Sequence, residues 1–162
     1  MTAKLFSPAR VIVIDLAQSR LNAAKLFGAD TALLTSAEPE GVVADLTDGL
    51  GADVVIEAVG APGAFELCTR LVRAGGHVAN VGVHGKPVSL HLEDLWIKNV
   101  TITTGLVDTY STPILMSMLA AGQLDTAPFI THHFSMDQMI QAYDVSSRAS
   151  ATGALKVALT RS

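Results

Sequence analysis

The chain has 162 residues, with 11 Lys and Arg against 15 Asp and Glu, a net charge of −4 and one cysteine. At 49% apolar and 16% charged it is too apolar for a disordered segment, and this balance predicts a large buried fraction. The charge argues against a nucleic-acid footprint, one cysteine excludes a disulfide framework or a Cys-rich zinc site, and no apolar run reaches the roughly 18 residues of a membrane span.

The N-terminus, Met1-Thr2-Ala3-Lys4-Leu5-Phe6, lacks a signal-peptide layout, which points to a reducing cytoplasm. Val11-Ile12-Val13-Ile14 ends in Asp15 and reads as a parallel strand buried on both faces. Ser19 to Phe27 reads as a helix stopped by Gly28, and Ala32 to Leu34 as a second strand. Pro39 opens a helix carrying Val42, Val43 and Leu46, broken at Gly49-Leu50-Gly51. Val54 to Ile56 is a third strand running into Val59-Gly60. Pro62 starts a helix with Phe65, Cys68, Leu71 and Val72 on its apolar face, which Gly75-Gly76 is expected to terminate. His77 to Gly82 reads as a fourth strand, Val88 to Leu92 as a short fifth and Val100 to Thr104 as a sixth.

After Gly105 the rhythm changes. Pro113 opens a helix stopped by Gly122, and Phe129 to Thr131 is a short extended piece. Ser135 and Gln138 form an S-x-x-Q capping box, with Phe134 and Met139 placed to staple the helix start. Leu155 to Leu159 is a final strand. Strands alternating with helical patterns predict βαβ units and a parallel sheet.

Asp15 carries the most chemical information. An acid at the carboxyl end of an early parallel strand is placed to accept hydrogen bonds from an adenosine ribose, with Arg20 flanking it. It is equally placed to cap the next helix, with Arg20 as a solvated charge. The companion G-x-G-x-x-G turn, roughly 20 residues before such an acid, is absent, because only 14 residues precede Asp15 and none is glycine. The chain begins inside what should be the first crossover helix, so the phosphate-cradling loop and its strand are expected upstream of Met1. Val59-Gly60 and Val81-Gly82-Val83 end strands with glycine, either as ordinary turns or to let backbone approach a flat ligand. His77, His84 and His91 recur every seven residues but fall on different elements, which argues against a metal site. His132-His133 reads as a loop pair and Cys68 as a small core residue.

Four phrases carry a resemblance: Val11 to Asp15, Leu26 to Asp30, Gly51 to Gly60 and Gly75 to Gly82, with the tail Ile130 to Phe134 and Ala154 to Val157. In order and spacing they resemble the zinc-containing medium-chain alcohol dehydrogenases, over the whole chain. The resemblance implies oxidation of a small-molecule alcohol, or reduction of its carbonyl partner, by hydride transfer with NAD, NADP being less favoured. It implies a zinc that polarises the alcohol oxygen, held by ligands outside this chain. The chain resembles the C-terminal half of such an enzyme: residues 1–107 as a Rossmann-like, mostly parallel doubly wound sheet lacking its first strand and glycine-rich turn, and 108–162 as an α+β segment returning to the catalytic domain.

By the same resemblance, Asp15 and Arg20 contact the adenosine ribose. Val59, Gly60 and Ala61 line the nicotinamide ribose. Val81, Gly82 and Val83, with Leu106, Val107 and Asp108, hold the carboxamide through backbone groups, and Lys156 lies near the pyrophosphate. Asp108 stands where the family often has an apolar or aromatic residue, which puts its side-chain role in doubt. Val88-Ser89-Leu90 reads as an edge strand, so Pro87 to Leu92 is the expected antiparallel seam of a homodimer or homotetramer. Two other readings stay open: a non-catalytic nucleotide-binding or interaction module, and a zinc-free quinone reductase relative. Coding sequence upstream of Met1 with a glycine-rich turn and a Cys/His zinc pattern separates the dehydrogenase from both.

Overall fold

The computed structural model describes residues 1–106 and 109–161. The chain divides into two compact units, Met1–Ala37 with Tyr110–Ser162, and Glu38–Thr109.

In the first unit, β1 (Ile12–Asp15) and β2 (Thr31–Leu34) pair in parallel, with Ile12 opposite Thr31 and Asp15 opposite Leu34. Helix α1 (Gln18–Leu26) crosses between them and buries Leu21. Its chain reverses through Gly28 at φ +94°, a conformation costly for any side chain. The Asp30 carboxylate accepts from Lys4 Nζ and the Val11 N–H, both at 2.6 Å, and ties the N-terminal 3₁₀ turn (Thr2–Phe6) to β1. Helix α5 (Thr112–Ala120) starts with Pro113 in its first turn, as expected. Farther on, β6 (Ile130–Ser135) and β7 (Lys156–Thr160) form a second parallel ladder, with α6 (Met139–Ser147) and α7 (Ala149–Thr152) between them. The Ser135–Gln138 capping box forms. His132 and His133, expected in a loop, lie on β6, where both join the ladder with β7. Phe27 stacks on Phe129 with centroids 4.2 Å apart.

In the second unit, β3 (Ala52–Glu57), β4 (Val72–Asn80) and β5 (Thr101–Thr104) form one parallel sheet in that order. Helices α2 (Pro39–Leu46), α3 (Pro62–Leu71) and α4 (Leu92–Leu95) belong to the same unit, and α2 is tied to α3 by the Glu40–Arg70 ion pair. Phe65 and Cys68 from α3 pack on Val72 and Val78 of β4, with Val55, Val88, Val100 and Ile102 against them.

Three expectations are corrected. Helix α3 ends at Leu71, not at Gly75-Gly76, and β4 begins at once. Ala52 pairs with Val72 but Val54 with His77, so the segment carrying both glycines bulges out while Val72 stays in the core. Residues 88–91 carry no strand, because no other described strand pairs with them, and an isolated extended piece without a ladder gains no cooperative pairing. Nor does the apolar composition produce the expected burial: Val54 and Ile56 of β3, Trp96, Ile97, Ile140 and Tyr143 are all exposed. Among the described residues β1 and β3 share no ladder, and β3 is an edge strand.

Candidate functional site

Because β3, β4 and β5 run in parallel, their carboxyl ends share one edge of the sheet, where ligands of open α/β sheets bind. Two turns leave that edge. The first, residues 58–61, is held by Glu57: its Oε1 accepts from the N–H groups of Val59 and Gly60, each at 2.8 Å. The second, residues 81–84, is held by the Glu57 carbonyl, which accepts from Val81 N–H at 2.8 Å and Gly82 N–H at 3.1 Å.

The structure brings these two expected segments into direct contact, and the glycines explain how. Gly60 sits at φ +79°, and a Cβ there would fall on the backbone of Val83; a Cβ on Gly82 would fall on the Glu57 carboxylate and the Gly60 amide. The close approach that glycine permits is therefore of one turn to the other. Val59, Val81 and Val83 are nonetheless 71%, 48% and 80% exposed, and Leu106, after β5, is 87% exposed. Ala61 is the N-cap of α3. Val107 and Asp108 lie outside the described residues.

The sequence reading missed three residues beneath these turns. The Glu57 side chain is fully buried, its Oε2 lies 3.4 Å from His84 Nε2, and that same nitrogen is 2.8 Å from Asn80 Oδ1. Asn80 Nδ2 donates to the Gly82 carbonyl at 3.3 Å. The available signal was Glu57 itself, a lone carboxylate ending an apolar strand, which needs donors wherever it is buried.

Asp15, Arg20 and Lys156 belong to the other unit. Asp15 Oδ1 accepts from Ala17 N–H at 2.8 Å at the start of α1, while Oδ2 lies 3.8 Å from Arg20 Nη1. One Asp15 oxygen accepts from the amide of the α1 N-cap residue and the other stands beside Arg20, while no side-chain bond caps the first turn of α1 itself. Lys156 is exposed on β7. As for a metal, among the described residues the trio with converging ligand atoms is His91, Glu93 and Asp94, all exposed. The His91 ring is already hydrogen-bonded to Glu93, which raises the imidazole above its ordinary value and lowers the carboxyl. Exposed groups of this kind commonly converge without an ion, and no zinc is placed there. Cys68, on α3, is buried, and burial, then the Glu57 charge, push its thiol up to about 11.

Residues 1–121 match the family model described as zinc-binding dehydrogenase. The chain belongs to the zinc-binding dehydrogenase family. Human sorbitol dehydrogenase is 31% identical over 147 residues, 89% of this chain and 41% of its own length. The apo form of zinc-dependent alcohol dehydrogenase 2 from Streptococcus pneumoniae superposes with a TM-score of 0.93 at 42% identity, covering 99% of this chain and 47% of its own. A Sinorhizobium meliloti 1021 protein solved with NADP bound superposes at 0.85 with 26% identity, over 98% of this chain and 47% of its own. This family member thus spans less than half the length of these relatives. Its family is one of oxidoreductases, its parallel α/β fold is that of the alcohol dehydrogenase cofactor domain, and no described helix is long and apolar enough to cross a membrane.

Proposed function

We propose that this chain supplies the cofactor side of an NAD-dependent alcohol dehydrogenase of the zinc type, oxidising a small-molecule alcohol or reducing its carbonyl partner. The observation that carries the reading is the rim of Val59, Val81, Val83 and Leu106, exposed and apolar at the carboxyl ends of three adjacent parallel strands. Such a rim, backed by two interlocked glycine turns, suits the flat face of a nicotinamide. When bound, the nicotinamide supplies or takes the hydride. The residues of this chain bind and orient: Val59, Gly60 and Ala61 beside the nicotinamide ribose, Val81 to Val83 with Leu106, Val107 and Asp108 at the carboxamide, and the apolar side chains excluding water from the ring. Asp15 and Arg20 receive the adenosine ribose, and Lys156 the pyrophosphate.

In this reading residues 1–107 serve the cofactor and 108–162 the catalytic domain. Copies pair through Pro87 to Leu92, and the zinc ligands belong to protein outside this chain. The chain alone has no alcohol dehydrogenase activity, with or without added zinc.

Two measurements test this. In a full-length enzyme carrying this sequence, NAD binds more tightly than NADP, because the Asp15 carboxylate repels a 2′-phosphate, and Asp15→Gly narrows the gap. Equal or tighter NADP binding by the unsubstituted enzyme removes Asp15 from the site. In an alcohol-oxidation assay on the purified chain, measurable turnover overturns the inactivity.

A further inference from the structure

The two turns spend their hydrogen-bonding groups unevenly. Glu57 takes four amide hydrogens: its Oε1 those of Val59 and Gly60, each at 2.8 Å, and its carbonyl those of Val81 and Gly82, at 2.8 and 3.1 Å. One buried residue thus occupies donors of both turns, its side chain on the first and its main chain on the second. Asn80 has a side-chain donor, but Nδ2 is spent on the Gly82 carbonyl at 3.3 Å. Pro62, the first residue of α3, has no N–H to offer. The Val83 nitrogen is packed against Gly60, where a Cβ would stand 2.9 Å from it.

The acceptors have the opposite fate. Among the described residues the carbonyls of Val59, Gly60 and Val81 accept no hydrogen bond. The exposed side chains around them are valine and leucine, which neither donate nor accept. The rim therefore presents bare carbonyl oxygens on apolar surface and is short of donors. A carbonyl covered by a group that cannot donate is left unpaired, at a cost in free energy.

We propose that Glu57, by consuming these amide hydrogens, makes the rim selective for a ligand group that donates, a primary carboxamide, over a carboxylate of the same shape. A carboxamide carries two N–H donors beside its oxygen, and an ionised carboxylate carries none. Carboxylate oxygens set against unpaired carbonyls gain no bond and meet like partial charge, so the rim discriminates by exclusion as well as by attraction. Glu57 is a positioning residue: it touches the turns and not the ligand. This selectivity rests on the nicotinamide reading above and gives it a chemical preference. Of two dinucleotides alike in adenosine and phosphates, the pyridine-3-carboxamide is taken and the pyridine-3-carboxylate refused.

The test is titration of the full chain near neutral pH with NAD, nicotinic acid adenine dinucleotide and ADP-ribose, followed by calorimetry and by the ¹⁵N-resolved shifts of the rim amides. NAD should move the Val59, Gly60, Val81 and Val83 amides, and ADP-ribose, which lacks the ring, should not. Nicotinic acid adenine dinucleotide should bind about tenfold more weakly than NAD, roughly the worth of one hydrogen bond. If NAD moves the rim amides while the two dinucleotides bind within about twofold of each other, the selectivity is overturned and the nicotinamide reading stands. If NAD leaves the rim amides unmoved, the nicotinamide reading falls and takes the selectivity with it. Glu57→Ala releases the Val59 and Gly60 amides, so the ratio of the two affinities should fall towards one. Glu57→Gln keeps an oxygen for both amides and should keep the ratio. A merely structural role would weaken both dinucleotides alike, so an unchanged ratio in folded Glu57→Ala overturns the assignment to Glu57, and so does a collapsed ratio in Glu57→Gln. Should Glu57→Ala fail to fold, the ratios of the unsubstituted chain and of Glu57→Gln decide.

Discussion

Replacing Gly60 by alanine is the most direct probe of the interlocked turns. The added Cβ would meet Val83 backbone carbon at 2.6 Å and nitrogen at 2.9 Å, besides the carbonyl oxygen, and nothing there is a flexible side-chain end. Holding an L-residue at φ +79° costs about 1–2 kcal/mol. Forcing a methyl into packed backbone costs a further ~1–3 kcal/mol. The loss should total about 2–5 kcal/mol, a large share of a domain's 5–15 kcal/mol. Gly63, in the first turn of α3, is the matched control: it has ordinary helical backbone and no atom within 4 Å of its would-be Cβ. Alanine there should gain up to about 1 kcal/mol. Urea unfolding followed by circular dichroism should therefore move the two midpoints in opposite directions at similar slopes. A Gly60→Ala chain within about 0.5 kcal/mol of the parent would refute the packing argument, because ordinary surface substitutions fall in that range.

Three further outcomes follow from other parts of the molecule. The Lys4 hydrogen bond, then the Val11 amide, hold the Asp30 carboxyl below its ordinary value. A depressed carboxyl stabilises the fold above the ordinary value of ~3.9 and stops doing so as pH falls through its lower folded value. Asp30→Asn should thus lower the thermal midpoint near neutrality and flatten its fall in acid; identical acid profiles would count against the tie. Cys68, pushed up to about 11, should resist a thiol-disulfide reagent at pH 8 until denaturant opens the fold, and rapid stoichiometric labelling of folded chain would contradict its burial. Residues 88–91 form no ladder among the described residues, so Ser89→Pro should leave folding intact and shift the light-scattering mass towards monomer. An unchanged mass in a multimeric sample would exclude that seam.

Local chemistry made much of this fold legible. The β-branched run before Asp15, the prolines at 39, 62 and 113 and the Ser135–Gln138 box each mark an element that forms there. The Val-Gly pairs were also readable as a site, although their glycines meet each other's turns before any ligand. What stayed hidden depends on partners distant in sequence. Gly75-Gly76 looks like a helix stop until Val72 is seen paired with Ala52, and Val88 looks like a strand until no neighbour is found for it. Glu57 is invisible as a cluster because its grip on the first turn is local, whereas its imidazole neighbour lies 27 positions away and is brought there by β4. Burial was overestimated for a related reason: composition counts apolar residues but does not say which faces find a cover.

The ladders also govern how the chain reaches its fold. Every described ladder joins strands consecutive in sequence, and opposed residues stand 19 apart for Ile12 and Thr31 and 26 apart for Ile130 and Lys156. Closing loops across that range differs in entropy by only about 0.3 kcal/mol. Each βαβ unit can therefore collapse on its own at a comparable rate, without a long-range nucleus. On the ribosome, β1 and β2 can zip once Leu34 has emerged, β3 and β4 once Asn80 has, and none of the ladders waits for strands made later.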